Sequence, residues 1–226
     1  MTPGRVLAVC AATDDVVLDG IGSSGINKRP HHGRVRVGEL GLATDHVCDT
    51  KHHGGTDQAV YAYSETEARR WADELGRELP FGWFGENLRL DGITVTDAIV
   101  GEQWQIGTDG LLLETTIPRV PCRTFAVWAG ESRWVKRFME RGDVGTYLRV
   151  LSAGTVGTGD AVTLVHRPDH GVRVRDLLIG TDVETLQRLL DRDDLAPKVR
   201  REAQRHLRKA LKHPEITGRG TAGQSA

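Results

Sequence analysis

Three short stretches set reactive side chains beside glycine or proline. In IPRVPCRTF, residues 117–125, Cys122 follows Pro121 directly and lies between Arg119 and Arg123. Cations on either side favour a thiolate, which serves as nucleophile, sulfur carrier or soft metal ligand. A buried structural thiol is the ordinary fate of a cysteine, and that reading fits Cys10 in the apolar run RVLAVCA better than it fits Cys122. In HHGGTD, His53 precedes Gly54 and Gly55, whose backbone can approach a ligand closely and offer amides to an anion; the alternative is a plain turn. In FGWFGENLRLDG, Gly85 leads into Glu86 and Asn87, a carboxylate and an amide suited to heterocycle ring nitrogens, or equally to fixing a turn.

The stretch from 23 to 64 holds Lys28, Arg29, His31, His32, Asp45, His46, Cys48, Asp49, Lys51, His52, His53 and Asp57. His46, Cys48, His52 and His53 are zinc-ligand types, and a zinc centre on His46, Cys48 and His53 is one reading. No CxxC, HxxxH or HExxH spacing supports it, and His31, His32 and His52 read more simply as exposed loop residues.

These groups need elements to hold them. Between Arg5 and Val165 short apolar runs alternate with glycine, in RVLAVCA, GRVRVGELGL, QAVYAYS, ENLRLDGITV, QWQIGTDGLLLETTIP and GDAVTLVHRP, which predicts many short strands and tight turns. Two helices interrupt them. SETEARRWADELGREL has Ser64 as N-cap, Glu67 completing a capping box, and Ala68, Trp71, Ala72 and Leu75 on one face. SRWVKRFMERGD carries Trp134, Val135 and Phe138 at helical spacing. Past 166–171 glycine thins out and helical periodicity takes over, with a short helix near VRDLL, then TDVETLQRLLDRDD and APKVRREAQRHLRKALKH. The expected organisation is a strand-rich mixed α/β domain over 1–168, a three-helix domain over 169–213 and a disordered tail over 214–226. The basic face of the last helix reads as a solvated surface.

Thirty Lys and Arg against 31 Asp and Glu leave a net charge of −1, so no general attraction draws this chain to a nucleic-acid polymer. No membrane span or export signal is legible, GIGSSG lacks the context of a dinucleotide loop, and GxxxxGK[ST] is absent. Three dispersed cysteines fit a reducing, cytoplasmic setting and argue against an iron–sulfur cluster. A homodimer stays open.

HGGxDxAVYAY, FGENL and PRxPC in succession, with GINKRP and GRVRVGELGL before them, resemble the MOSC family, named for the C-terminal domain of molybdenum cofactor sulfurases, and within it the stand-alone bacterial YiiM-type branch with a three-helix C-terminal domain. The resemblance implies a β-barrel-like fold around a pocket and a molybdenum cofactor (Mo–molybdopterin). It implies an oxidoreductase role in detoxification: reduction of N-hydroxylated compounds such as hydroxylamino base analogues, with electrons from a separate reductase. The alternative is a sulfur or cofactor carrier that uses a cysteine persulfide without turnover. On this resemblance Cys122 is the metal ligand or persulfide carrier, and His53, Gly54 and Gly55 line the pocket with Asp57 and Gly85. Lys28, Arg29, Lys51 and Arg119 then contact phosphate, while Glu86 and Asn87 meet pterin or substrate. The family's association with pyridoxal phosphate is nominal here, because no Schiff-base lysine context is present. Thr56 stands in the usual proline position, Thr44 in that of a frequent glycine, and Gln58 where a basic residue is expected, which removes one positive contact.

Overall fold

The computed structural model describes residues 3–50 and 53–212. In chain order the strands are β1 (Gly4–Ala11), β2 (Val16–Leu18), β3 (Gly22–Ser24), β4 (Arg29–Pro30), β5 (Val35–Gly38), β6 (Gly41–Leu42), β7 (Val60–Ser64), β8 (Leu88–Asp91), β9 (Gln103–Ile106), β10 (Leu111–Pro118), β11 (Thr146–Ser152), β12 (Gly154–Val156) and β13 (Ala161–His166). Helices are α1 (Glu65–Leu75), α2 (Arg123–Ala129), α3 (Trp134–Arg141), α4 (Asp176–Ile179), α5 (Val183–Leu190) and α6 (Pro197–Lys212).

The large sheet runs β13-β9-β10-β11-β7-β8-β1, and β1 pairs back onto β13, closing a barrel of seven strands. Among the described residues only β7 and β8 pair in parallel; the chain between them forms α1 and the FGEN turn, a crossover that antiparallel neighbours do not need. The alternation in the sequence is the barrel's inward face: Val6, Val9, Val60, Leu88, Leu90, Trp104, Ile106, Leu113 and Leu148 make one core with no sheet edge to protect.

A second core lies outside the barrel wall. Trp71 of α1, Trp83 and Phe84, Phe125 of α2, and Trp134 and Phe138 of α3 pack together, with Phe125 and Phe138 ring centres 5.1 Å apart and nearly perpendicular. Ser64 sits at the N-cap of α1 but makes no side-chain cap, and Glu67 turns inward to accept the Thr96 hydroxyl at 2.7 Å, so the expected capping box does not form. The stretch after Pro121 is helical: Cys122 is the N-cap residue of α2, which ends on left-handed Gly130.

The C-terminal helices share a third core with the barrel, in which Leu177, Leu186, Leu189, Val199 and Ala203 meet Val100 and Ile117. Asp182 caps α5 by accepting Thr185 N–H at 2.8 Å. No helix of the described residues is long and apolar enough to cross a membrane.

Candidate active site

Strand β10 ends irregularly. Its register against β11 shifts between Thr115 and Pro118, and the chain leaves the sheet through Arg119, Val120 and Pro121 to deliver Cys122 at the start of α2. One turn back, the Thr116 hydroxyl donates to the Asp57 carbonyl at 2.7 Å, tying the HGGTD turn to the same strand end. Gly54 and Gly55 take φ of 75° and 81°, where a side chain would strain the backbone. The two motifs, more than sixty residues apart in sequence, therefore meet by construction.

Where they meet, the His53 imidazole acts on Cys122 and favours the ionised sulfur. Burial by itself would raise the thiol, but the His53 imidazole, the Arg119 charge and the Phe125 N–H outweigh it and bring Cys122 from 9.0 down to about 6. The Phe125 N–H contributes by direction, without the geometry of a full side-chain cap. Cys122 is thus mostly thiolate at neutral pH and remains half-buried rather than sealed.

Arg119 is 5% exposed, stacks 3.9 Å above the Phe125 ring and lies beside the Tyr61 and Tyr147 hydroxyls. Its Nη1 has no hydrogen-bond partner among the described residues. A buried guanidinium with one unpartnered edge next to a thiolate suits an anionic ligand.

Beyond His53 opens a cavity of about 270 Å³ between the barrel and α6, lined among others by Pro118, Tyr147, Lys198 and Arg201. Lys198 Nζ bonds the Gly54 carbonyl at 3.2 Å and the Gln58 side chain, while its backbone N–H is held by Asp57 at 2.7 Å. The cation that Gln58 lacks is supplied by α6. Sequence reading missed Lys198 and Arg201 because 140 residues separate Lys198 from its partner Gln58.

Other candidates have different duties. Glu86 is fully buried, accepts from Gly82 N and Phe84 N at 2.9 and 3.0 Å, and pairs with Arg89 at 2.5 Å; its oxygens build the turn and balance a buried cation, the turn-fixing role that the sequence offered beside a ligand contact. Asn87 is likewise committed: Oδ1 accepts Tyr61 N–H at 3.0 Å and Nδ2 donates to the Cys10 carbonyl and Asp45. Asp57 is buried and caps α6, and Lys28 is paired with Asp45. Gly85, at φ 74°, passes near Arg119, where an added Cβ would lie 3.9 Å from Nη2. Arg29 is exposed on β4. Lys51 and His52 lie outside the described residues. Cys10 is sealed inside β1, and burial, with the Glu86 charge, pushes it up to about 12. The zinc grouping changes as well: His53 serves Cys122, while His46 and Cys48 gather around Asp15.

A MOSC domain profile matches residues 49–163, half of the chain and the segment that holds His53, Arg119 and Cys122. The chain belongs to the MOSC family. It is 32% identical over 152 residues to the uncharacterized protein YflK of Bacillus subtilis, covering 67% of this chain and 68% of that one. It is 30% identical over 147 residues to YiiM of Escherichia coli, covering 64% and 65%. A protein of Gibberella moniliformis named Reductase is 32% identical over 170 residues, which span 74% of this chain and only 30% of that longer one. Among solved structures, YiiM of Geobacillus stearothermophilus superposes with TM-score 0.72 at 24% identity, over 91% of this MOSC chain and all of that one, and E. coli YiiM with 0.67 at 23%, over 95% and 94%. The fold is that of the stand-alone YiiM-type proteins.

Proposed function

We propose that this MOSC protein binds a molybdenum cofactor at Cys122 and reduces N-hydroxylated compounds with electrons from a separate reductase. The observation that carries the reading is the Cys122 thiolate, brought to about 6 and set beside a buried guanidinium edge without a partner. A soft sulfur donor suits molybdenum, and Arg119, Lys198 and Arg201 suit the anionic groups of its organic part. Family membership and a relative named Reductase support the same class of chemistry.

When bound, the cofactor supplies the redox couple; converting N–OH to N–H and water takes two electrons and two protons, the electrons arriving from the partner reductase. The chain's own residues do the rest. His53 and Arg119 keep the Cys122 sulfur ionised, and α6 encloses the far side of the cavity. The carrier alternative uses the same thiolate, which is also a competent persulfide holder.

Metal analysis of freshly purified protein, run beside reduction of a hydroxylaminopurine with a supplied electron donor, separates these. Stoichiometric molybdenum with turnover, both lost in Cys122→Ala while the unfolding transition is kept, is the expected result. Molybdenum without turnover, or a one-sulfur mass increment on Cys122, moves the assignment to the carrier; wild-type turnover in Cys122→Ala removes Cys122 from the chemistry.

A further inference from the structure

The loop from Thr44 to Asp49 brings together metal-type side chains that the cleft does not use. His46 and Cys48 are met there by Asp15, from the turn that follows β1, and one donor atom from each lies within 4.8 Å of the others. Cys48 Sγ is 3.2 Å from Asp15 Oδ1, and the His46 Nε2 contacts that same oxygen. All three are exposed.

This convergence is held in place from behind. The Ala12 N–H donates to Asp45 Oδ1 at 2.8 Å, and the Ala12 carbonyl accepts from His46 Nδ1 at 3.0 Å, so the one residue that follows β1 clips two successive residues of the loop. A carbonyl accepts only, so Nδ1 carries a proton, and Nε2 is the ring nitrogen turned to Asp15, protonated when the ring is charged and a lone-pair donor when it is neutral. Between that nitrogen and the Asp15 oxygen sits either a proton, which the carboxylate favours by raising the His46 pKa, or a cation in its place. Backbone support of the far ring nitrogen is how ligating histidines are oriented. On the other side Gly25 runs close by: a Cβ there would lie 3.0 Å from the His46 carbonyl oxygen and 3.6 Å from Nε2.

We propose that Asp15, His46 and Cys48 form a zinc site separate from the Cys122 cleft. One thiolate, one imidazole nitrogen and one carboxylate are the borderline-soft set that Zn²⁺ takes, and tetrahedral bonding spaces such donors roughly 3.3–3.8 Å apart, a separation these side chains reach by small rotations. With three protein ligands and solvent on the open side, the ion keeps a position for water or an exchangeable anion. The site stands independently of the proposed reductase activity, since none of its ligands touches Cys122, His53 or Arg119 among the described contacts.

Co²⁺ titration of the full-length chain, followed by the thiolate-to-cobalt charge-transfer band, tests it. The band should saturate at about one equivalent in wild type and in Cys122→Ala, disappear in Cys48→Ser, and need on the order of tenfold more Co²⁺ in His46→Gln and Asp15→Asn. Independently of any variant, Zn²⁺ should protect Cys48, and not Cys122, from iodoacetamide in the wild-type protein. No band in wild type, a band that survives Cys48→Ser but is lost in Cys122→Ala, or protection of Cys122 alone would each overturn the assignment.

Discussion

At the scale of single residues, the three cysteines occupy three environments that chemistry distinguishes. Cys10 is sealed and held near 12, Cys48 is exposed with its thiol raised by partial burial and by the Asp15 carboxylate, and Cys122 is lowered to about 6 despite its own burial. Alkylation follows the thiolate population, so iodoacetamide at pH 7 should label Cys122 first, with a rate that climbs through about pH 6 and then levels. His53→Gln removes the imidazole and should move that midpoint upward; mass-spectrometric labelling against pH reads both, and an unshifted midpoint would mean that His53 does not tune the sulfur. Glu86 shows the opposite case. Its pairing with Arg89, 1% exposed at the side chain, means that losing the carboxylate would leave that buried cation with Glu65 as its remaining carboxylate partner, so a defect in Glu86→Gln would report folding before it reported catalysis.

At the scale of elements, the decisive contact joins the HGGTD turn to α6. Pro197 opens the helix, where its missing N–H costs nothing, and Asp57 accepts the next N–H at 2.7 Å from a different part of the chain. A carboxylate at a helix N-terminus also meets the positive end of its dipole. Asp57→Ala should therefore lower stability by about 1–2 kcal/mol, visible as a reduced urea midpoint, while an unchanged midpoint would show that the helix does not depend on this cap. Much at this scale was legible. The strands of β1, β7, β8 and β10 and the helices α5 and α6 follow from apolar alternation and helical periodicity, because those patterns are local. Helix α2 was not, since RTFAVWA is short, rich in strand-favouring residues, and owes its helical state to Phe125 packing against Trp134 and Phe138. The chemical types of Cys122, His53 and Arg119 could be read from the sequence; the arrival of Lys198 could not, because 140 residues separate it from Gln58, and the Glu86–Arg89 pair, only three residues apart, carried no local signal that both side chains are buried.

At the scale of the whole molecule, one buried polar network joins α1, the barrel and the C-terminal helices. Glu67 of α1 accepts the Thr96 hydroxyl, the same oxygen of Thr96 takes the Gly145 N–H at 2.8 Å, and Asp143 beside it is paired with Arg70 and with Arg175 at the start of α4. Burial raises Glu67 from 4.5 to about 7, the Thr96 bond only partly opposing it and the Asp143 charge adding to the rise. The native state therefore holds this proton to higher pH than the unfolded chain does. Its contribution to stability is full below about pH 4.5, declines between 4.5 and 7 as only the unfolded state ionises, and is gone above 7. The difference amounts to about 3 kcal/mol at its upper limit. Glu67→Gln keeps the shape and removes the titration, so its unfolding free energy, compared with wild type across pH 4 to 8, should gain on wild type as pH rises through that window. Parallel curves for the two proteins would show that Glu67 ionises at an ordinary carboxylate value and that the network tolerates its charge.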